Sequence, residues 1–326
     1  MNNLTFPILR LLADGRFQSG EAIARHFGVT RATVWNAMQE AEAIGIELFS
    51  VRGRGYRLPE PIQLLEADSV LAAIGEQRAR FNLELHDRLE STNSTLMKKA
   101  SAGALHATCV AASLQTKGRG RRGRAWQAGL GASLTFSLLW RFQGGASALS
   151  GLSLAVGVAL MRTLHGMGIV EARLKWPNDV LHRHKKLAGI LIELQGDMEG
   201  PSAAVIGSGI NLHLPEHVRR HIDQAATDLR SVMPQPANPS ELLGWILKNL
   251  ADVISEFERD GFVQLRDEWL QHHAYQGLSV RLLSPDGRET QGVVTGLAQD
   301  GVLLVDTAAG QQRFSAGEIS LRRATL

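Results

Sequence analysis

The sequence predicts an α+β protein in three parts: an N-terminal winged helix-turn-helix, a central domain built on a mixed sheet, and a small C-terminal β-barrel. Three observations carry this. The first 58 residues read as short helices followed by a glycine hairpin. The middle mixes helical stretches with apolar runs that do not alternate regularly with them, which argues against a doubly wound sheet. From about residue 275, three turn signals fall within some fifty residues. Boundaries follow at 1–66, 67–272 and 273–326, and a chain of 326 residues suits two or three domains.

In the first part, Phe6-Pro7 opens a helix that ends near Gly15, since proline is tolerated in a first turn and glycine just past a last one. Residues 19–27 form a second helix with Ile23 and Phe27 on one face. Gly28 makes the turn, and Thr30 caps a third helix from Arg31 to about Ile44. Two short strands, 47–51 and 56–58, flank an Arg-Gly-Arg-Gly turn, and the prolines at 59 and 61 close the unit. A helix that begins Thr-Arg-Ala-Thr-Val-Trp after a glycine turn presents its N-terminal residues to a major groove. Arg31, Thr33 and Asn36 are therefore candidates for base-edge or phosphate contacts. Arg52 and Arg54, on the hairpin, are candidates for backbone or minor-groove contacts, as in a wing. A small helical packing domain would show the same helices; the wing that follows at once favours DNA.

In the second part, strands are predicted over 108–113, 133–140, 187–194 and 203–210, a buried helix over 147–166, and a long amphipathic helix within 240–270. In the third, Pro-Asp-Gly at 285–287, Gln-Asp-Gly at 299–301 and Ala-Ala-Gly at 308–310 mark the turns. A hydrophobic share of 44% supports a sizeable core. The net charge of +3 is too small for a nucleic-acid coat protein, but it is unevenly placed. Residues 117–124 hold five positive charges and no negative one, which suits an anionic partner. One cysteine, Cys109, excludes a disulfide framework and a multi-cysteine zinc site, and its apolar run reads as a buried thiol. The N-terminus lacks the apolar length of a signal peptide, and no apolar run reaches the roughly 18 residues of a spanning helix. A cytoplasmic protein with no membrane partner is expected.

Five motifs in the middle region need a common explanation. Glu-Ser-Thr-Asn-Ser (90–94) is a cluster of small polar groups that also reads as a turn or helix cap. Residues 115–126 (QTKGRGRRGRAW) interleave glycines, which let backbone approach a ligand, with arginines, which bind carboxylate and phosphate. Disorder or RNA binding produces similar strings, but this one occurs once, between two apolar strands, as a ligand loop would. Lys-Trp-Pro-Asn-Asp (175–179) is extended after its proline and then turns; Asp179 suits a metal or a ribose, or an ordinary Asx turn. Residues 185–194 (KKLAGILIEL) put Lys186 at the rim of a buried strand, where it neutralises a phosphoryl group or merely snorkels. Gly-Ser-Gly-Ile-Asn-Leu (207–212) allows close approach and offers the Asn211 amide. The pairs His182/His184 and His272/His273 have no further Cys or His at ligand spacing and read as exposed loop positions.

In order and wording these motifs resemble the biotin protein ligases, in the larger class that doubles as biotin operon repressor. The resemblance runs through residues 54–65 and the C-terminal Gly-Glu-Ile-Ser-Leu-Arg (317–322) and covers nearly the whole chain. It implies an SH3-like C-terminal barrel and a ligase that forms biotinoyl-5′-AMP from biotin and ATP with Mg²⁺. Biotin then passes to a lysine of a biotin carboxyl carrier protein. The resemblance also implies that the adenylate acts as corepressor and that the loaded protein dimerises on operator DNA. Carried over by motif, Ser91, Thr92, Asn93 and Gln115 line the biotin head-group pocket. Gly118, Arg119, Gly120 and Arg121 wrap the carboxylate tail, Trp126 packs on it, and Lys186 stabilises charge between carboxylate and phosphate. Arg119, Arg121 and Lys186 are the expected catalytic groups. Arg122, Asn178, Asp179 and Asn211 serve the nucleotide, with magnesium carried by it rather than by a protein-only metal site. One departure stands out: relatives place a tryptophan in the adenine-covering loop, whereas residues 215–229 contain no aromatic, leaving Arg219 or Arg220 to substitute.

Overall fold

The computed structural model describes residues 3–127, 129–196, 200–220, 222, 224–284, 287–315 and 320–323. Helices α1 (Thr5–Leu11), α2 (Gly20–Phe27) and α3 (Arg31–Ala43) precede an antiparallel hairpin of β1 (Phe49–Val51) and β2 (Gly55–Arg57). Ser19 Oγ accepts from the Ala22 amide and Thr30 Oγ1 from the Thr33 amide, so both helices start where a short side chain satisfies an orphan donor. Gly28, at φ +65°, reverses the chain between them. The first helix stops at Leu11, short of the predicted Gly15, which instead closes a separate turn at φ +72°. Ile8, Leu9, Ile23, Val34 and Met38 form the core of this unit, which also takes in Leu114 of the central domain.

The central domain runs α4 (Ala67–Ile74), β3 (Asn82–Leu89), α5 (Thr92–Ser101), β4 (Thr108–Gln115), β5 (Ser133–Phe142), α6 (Leu152–Gly166), β6 (Ala172–Lys175), β7 (Asp179–His182), β8 (Lys185–Gly196) and β9 (Ser202–Asn211). Short α7 (Glu216–Arg219) and α8 (Leu229–Val232) follow, then α9 (Pro239–Asp260) and α10 (Val263–Gln271). The seven strands lie in the order β3-β4-β5-β9-β8-β7-β6. Only the β3–β4 pair is parallel, so the sheet is mixed, as α+β patterning requires. One face, carrying Cys109, Ala111, Phe136, Leu138 and Ile206, is sealed by α6 and α9. The other, carrying Val110, Leu139 and Val205, is covered by Leu96 and Ala100 of α5. That helix is short, and beyond its N-terminus the sheet presents glycines instead of apolar side chains. Cys109 is fully buried, and burial pushes its thiol well above the usual range.

The long amphipathic helix expected within 240–270 is α9, which ends at Gly261, φ +71°, before the shorter α10. Several expectations are corrected. In the 175–179 motif the turn comes before Asp179, not after it: Trp176–Asn178 turn and Asp179 opens β7. His273 is not an exposed loop residue. It is 7% exposed, its ring lies 4.6 Å from that of Trp269, and burial lowers its pKa to about 4.

The C-terminal part is an antiparallel sheet of β10 (Ser279–Leu283), β11 (Glu289–Leu297), β12 (Leu303–Thr307), β13 (Gly310–Phe314) and β14 (Ser320–Arg323), ordered β13-β12-β11-β10-β14. The predicted turns at 299–301 and 308–310 connect its strands. Pro285 and Asp286 of the third turn, and Gly317–Ile319 of the C-terminal motif, lie outside the described residues. Val280, Leu282, Leu303 and Val305 join the central core. No described helix is long and apolar enough to cross a membrane.

Candidate active site

The site begins with a helix cap. Ser91 Oγ accepts from the Ser94 amide and starts α5, so Thr92 and Asn93 fall in the first turn, above the sheet. Beneath them Ser137, Gly207 and Leu191 lie side by side in register across β5, β9 and β8. A Cβ on Gly207 would stand 2.0 Å from Asn93 Oδ1, so only glycine admits this side chain. Ser137 Oγ donates to Asn93 Oδ1 at 2.5 Å and lies 2.8 Å from Thr92 Oγ1. Asn93 Nδ2 donates to the Leu191 carbonyl at 3.2 Å and to Glu193 Oε2 at 3.0 Å. The Thr92 amide donates to Gln115 Oε1 at 2.6 Å. Ser91, Thr92, Asn93 and Gln115 are all buried, giving an uncharged, hydrogen-bonding end to the pocket. The cap and the lining are the same residues, so the two readings of the Glu-Ser-Thr-Asn-Ser motif do not compete.

The next row of the sheet is Thr135, Gly209 and Gly189, and on it lies the indole of Trp126. A Cβ on Gly209 would meet that ring at 2.5 Å. The arginine loop brings Trp126 there by folding back on itself: the Trp126 amide bonds to the Gly118 carbonyl at 2.9 Å and the Gly120 amide to that of Arg124 at 2.7 Å. Gly118 does not line the cavity; it makes this closure possible, since a Cβ there would lie 2.6 Å from the Trp126 oxygen. Arg119 Nη2 pairs with Glu193 Oε1 at 3.0 Å, and its Nη1 donates to Ser94 Oγ at 3.2 Å. Arg121 Nη1 donates to Asn178 Oδ1 at 2.9 Å, and Asn178 in turn donates to the Ile190 carbonyl at 2.9 Å.

Two cavities meet here. The inner one, about 50 Å³, is lined by the neutral groups Ser91, Thr92, Asn93 and Gln115 and by Arg119, Arg121 and Lys186; the outer, about 530 Å³, lies beyond the loop. Gly120, Arg121, Trp126, Asn178 and Lys186 line both. Among the described residues lining the outer cavity, six are cationic (Arg121, Arg122, Arg124, Lys175, Lys186, Arg322) and one, Asp179, is a carboxylate. Asp179 holds Lys186 Nζ at 2.7 Å and Lys175 Nζ at 3.7 Å, and the Lys186 ammonium stands 5.6 Å from the Trp126 ring centroid. Burial lowers the Lys175 pKa; Asp179 opposes the shift, and Lys186 and Arg322 reinforce it. Burial likewise lowers that of Arg121, against Asp179 and with Arg122 and Arg124. Cations this crowded and desolvated favour a polyanion.

Asn211 lines the outer cavity but spends its amide on the carbonyls of Lys186 (3.3 Å) and Thr227 (3.0 Å), bracing the wall formed by residues 224–227. Neither Arg219 nor Arg220 lines the cavity. Arg219 pairs with buried Asp228 and Arg220 with Glu216, so the missing aromatic is not replaced by either. Besides Trp126 and Trp176, the aromatic surface comes from His184 and Tyr275, whose rings are parallel within 7° at 6.4 Å. Among the described residues no group of three or more His, Cys, Asp or Glu is gathered as a metal site.

The remaining candidates lie in the winged helix. Arg31 and Asn36 are exposed on α3; Thr33 is half-buried and its hydroxyl lies 2.9 Å from that of Thr30, as part of the cap. Arg52 and Arg54 are exposed on the hairpin, with the Arg54 guanidinium 4.2 Å over Phe17. Sequence reasoning missed Ser137, Lys175, His184, Glu193, Tyr275 and Arg322. Glu193 had a signal, since it shares the face of Gly189 by the two-residue strand repeat. Arg322 closes the C-terminal 317–322 motif but carried no role there, and Tyr275 had no signal, because it lies outside every motif.

Known proteins match in the same three segments. The biotin/lipoate A/B protein ligase family matches residues 85–211, an HTH domain family residues 5–57, and a biotin protein ligase C-terminal domain family residues 277–322. The bifunctional ligase/repressor BirA of Escherichia coli is 32% identical over 99% of this chain and 98% of its own length. That of Salmonella typhimurium is 34% identical over 99% and 100%. Among solved structures, the biotin protein ligase of Aquifex aeolicus in complex with biotin and ATP superposes with a TM-score of 0.64 at 29% identity, covering 74% of this chain and 99% of that one.

Proposed function

We propose, from the premise that the chain belongs to the BirA-like family of bifunctional biotin ligase/repressors, that its two cavities divide the adenylation of biotin between them. The protein is an ATP-dependent biotin protein ligase with its own DNA-binding repressor domain, and it binds biotin and ATP. One observation carries the division of labour: a small cavity with a cluster of neutral hydrogen-bonding groups adjoins, across a neck formed by Lys186 and Arg121, a larger one lined by six cations.

A carboxylate resists attack by an amine, so biotin must first become an acyl donor. A carboxylate oxygen of biotin attacks the α-phosphorus of ATP, pyrophosphate leaves, and biotinoyl-5′-AMP forms. A lysine amine of the carrier protein then attacks the acyl carbon and AMP leaves. The ureido ring sits among Ser91, Thr92, Asn93 and Gln115, which offer it donors and acceptors in a buried site. The tail lies against Trp126. Lys186 and Arg121 meet the carboxylate and α-phosphate at the neck, where fixed charge offsets charge that develops in the transition state. Arg122, Arg124, Lys175 and Arg322 take the other phosphates, and Asn178, Asp179 and Asn211 shape the nucleotide wall. Magnesium carried by ATP would screen phosphate charge, and Asp179, the one carboxylate among the described residues lining the outer cavity, is the group that would meet it.

We place the reaction in the cytoplasm, with the biotin carboxyl carrier protein of acetyl-CoA carboxylase as acceptor. The adenylate-loaded homodimer sets two winged helices on a two-fold operator. Purified chain with ATP, Mg²⁺, biotin and a carrier domain is expected to give an avidin-reactive band and biotin-dependent ATP–pyrophosphate exchange. Exchange with lipoate instead of biotin would overturn the substrate assignment.

Two variants probe the parts. Arg121→Gly removes a charged donor at the neck and its brace on Asn178, so adenylate should dissociate about 10-fold to 100-fold faster in stopped-flow release. An unchanged off-rate would remove Arg121 from the neck. Arg31→Ala with Arg52→Ala should weaken operator binding and lower the salt slope by about two. Titrations at several salt concentrations read this directly, and wild-type affinity would contradict it.

A further inference from the structure

Glu193 has no role in the chemistry above, but it stands where the two framing elements of the inner cavity meet. Its carboxylate rises from β8 on the same face as Gly189 and Leu191, toward the start of α5 and the arginine loop. Oε2 accepts from Asn93 Nδ2 and Oε1 pairs with Arg119 Nη2, each at 3.0 Å. The carbonyl end of Asn93 already takes the Ser137 hydroxyl. Reversing the amide would set its oxygen against the Leu191 carbonyl and the Glu193 carboxylate together, two acceptor–acceptor contacts in a buried site.

We propose that Glu193 is the positioning residue of the biotin subsite, orienting the Asn93 amide with one oxygen and holding Arg119 over the pocket with the other. The position needs two acceptors aimed at two donors, one of them cationic, and a carboxylate is the side chain that offers this. An isolated surface ion pair would contribute little. Here the Arg119 side chain is 51% and the Glu193 side chain 23% exposed, and the carboxylate also ties Asn93, in the first turn of α5, to the loop that closes the cavity. The proposal rests on the ligase reading, because only with biotin as ligand does the orientation of Asn93 acquire a function.

The test uses Glu193→Ala and Glu193→Gln in the full chain, with biotin Kd by calorimetry, KM for ATP by pyrophosphate exchange, and tryptic cleavage within 117–124 without ligand, read by mass spectrometry. Glu193→Ala is expected to raise the biotin Kd about 10-fold to 100-fold while KM for ATP stays near wild type, and to speed cleavage of the loop. Glu193→Gln keeps an acceptor for Asn93 but cannot pair with Arg119. Biotin affinity should therefore recover most of the way, while cleavage stays fast. An unchanged biotin Kd in Glu193→Ala, or equal losses for biotin and ATP, overturns the proposal. Failure of the wild-type chain to support biotin-dependent exchange would overturn the ligase reading instead.

Discussion

Lys186→Ala is expected to lose biotin adenylation by about 10²-fold to 10³-fold, the cost of removing one preorganised donor from developing charge. Lys186 Nζ is held 2.7 Å from Asp179 in a pair whose side chains are 17% and 13% exposed, at the neck between the two cavities. Held there, the ammonium pays no reorganisation as negative charge builds between carboxylate and phosphate. Truncation also leaves Asp179 with Lys175 at 3.7 Å and the field of Arg121, so less of its negative charge is offset when the triphosphate arrives. The loss should appear in the rate of exchange at saturating substrates. Biotin affinity should change little, because the head-group residues are untouched. Lys186→Arg keeps the charge but not the compact geometry, so only partial activity is expected. Full exchange activity in Lys186→Ala would show that the neck is not where the acyl-phosphate forms.

Gly207→Ala is expected to abolish useful biotin binding, raising Kd about 100-fold, through a single methyl group that touches no charge. The added carbon would lie 2.0 Å from Asn93 Oδ1 and 2.8 Å from its Cγ. Asn93 cannot yield freely, because Ser137, Leu191 and Glu193 hold its two ends. It must break those bonds or lift α5, and either displaces the polar end of the pocket. Overpacking of this kind costs about 1–3 kcal/mol, too little to unfold a core of this size. Calorimetry with biotin should therefore show the loss while circular dichroism shows a native fold. The double variant Gly207→Ala with Asn93→Ala should recover thermal stability but not affinity. Wild-type biotin affinity in Gly207→Ala would remove Asn93 from the head-group site.

Local order made much of this protein legible in its sequence. Thr30 and Ser19 cap their helices because a short hydroxyl before an apolar repeat has one favourable use, and Gly28 turns because a left-handed residue there needs no Cβ. The apolar runs at 133–140 and 203–210 marked strands that are central and buried. The exact end of the long helix within 240–270 was harder to see: Gly261 stops α9, and one glycine does not outweigh the flanking apolar pattern. His273 was read as exposed because polarity alone was visible, and burial beneath Trp269 depends on a neighbour that the local pattern does not name.

The motifs, their order and the chemistry they suit were thus determined by the sequence alone, because each is a run of adjacent residues whose spacing is its meaning. Only the tertiary structure decided which of them share a wall. Ser137, Gly207 and Leu191 come from three strands and become one row under Asn93 by sheet register; Tyr275 and Arg322 reach the outer cavity from the far end of the chain. Strand order and register are settled by how two faces of one sheet bury against α5, α6 and α9, which is a property of the packed whole that no segment carries.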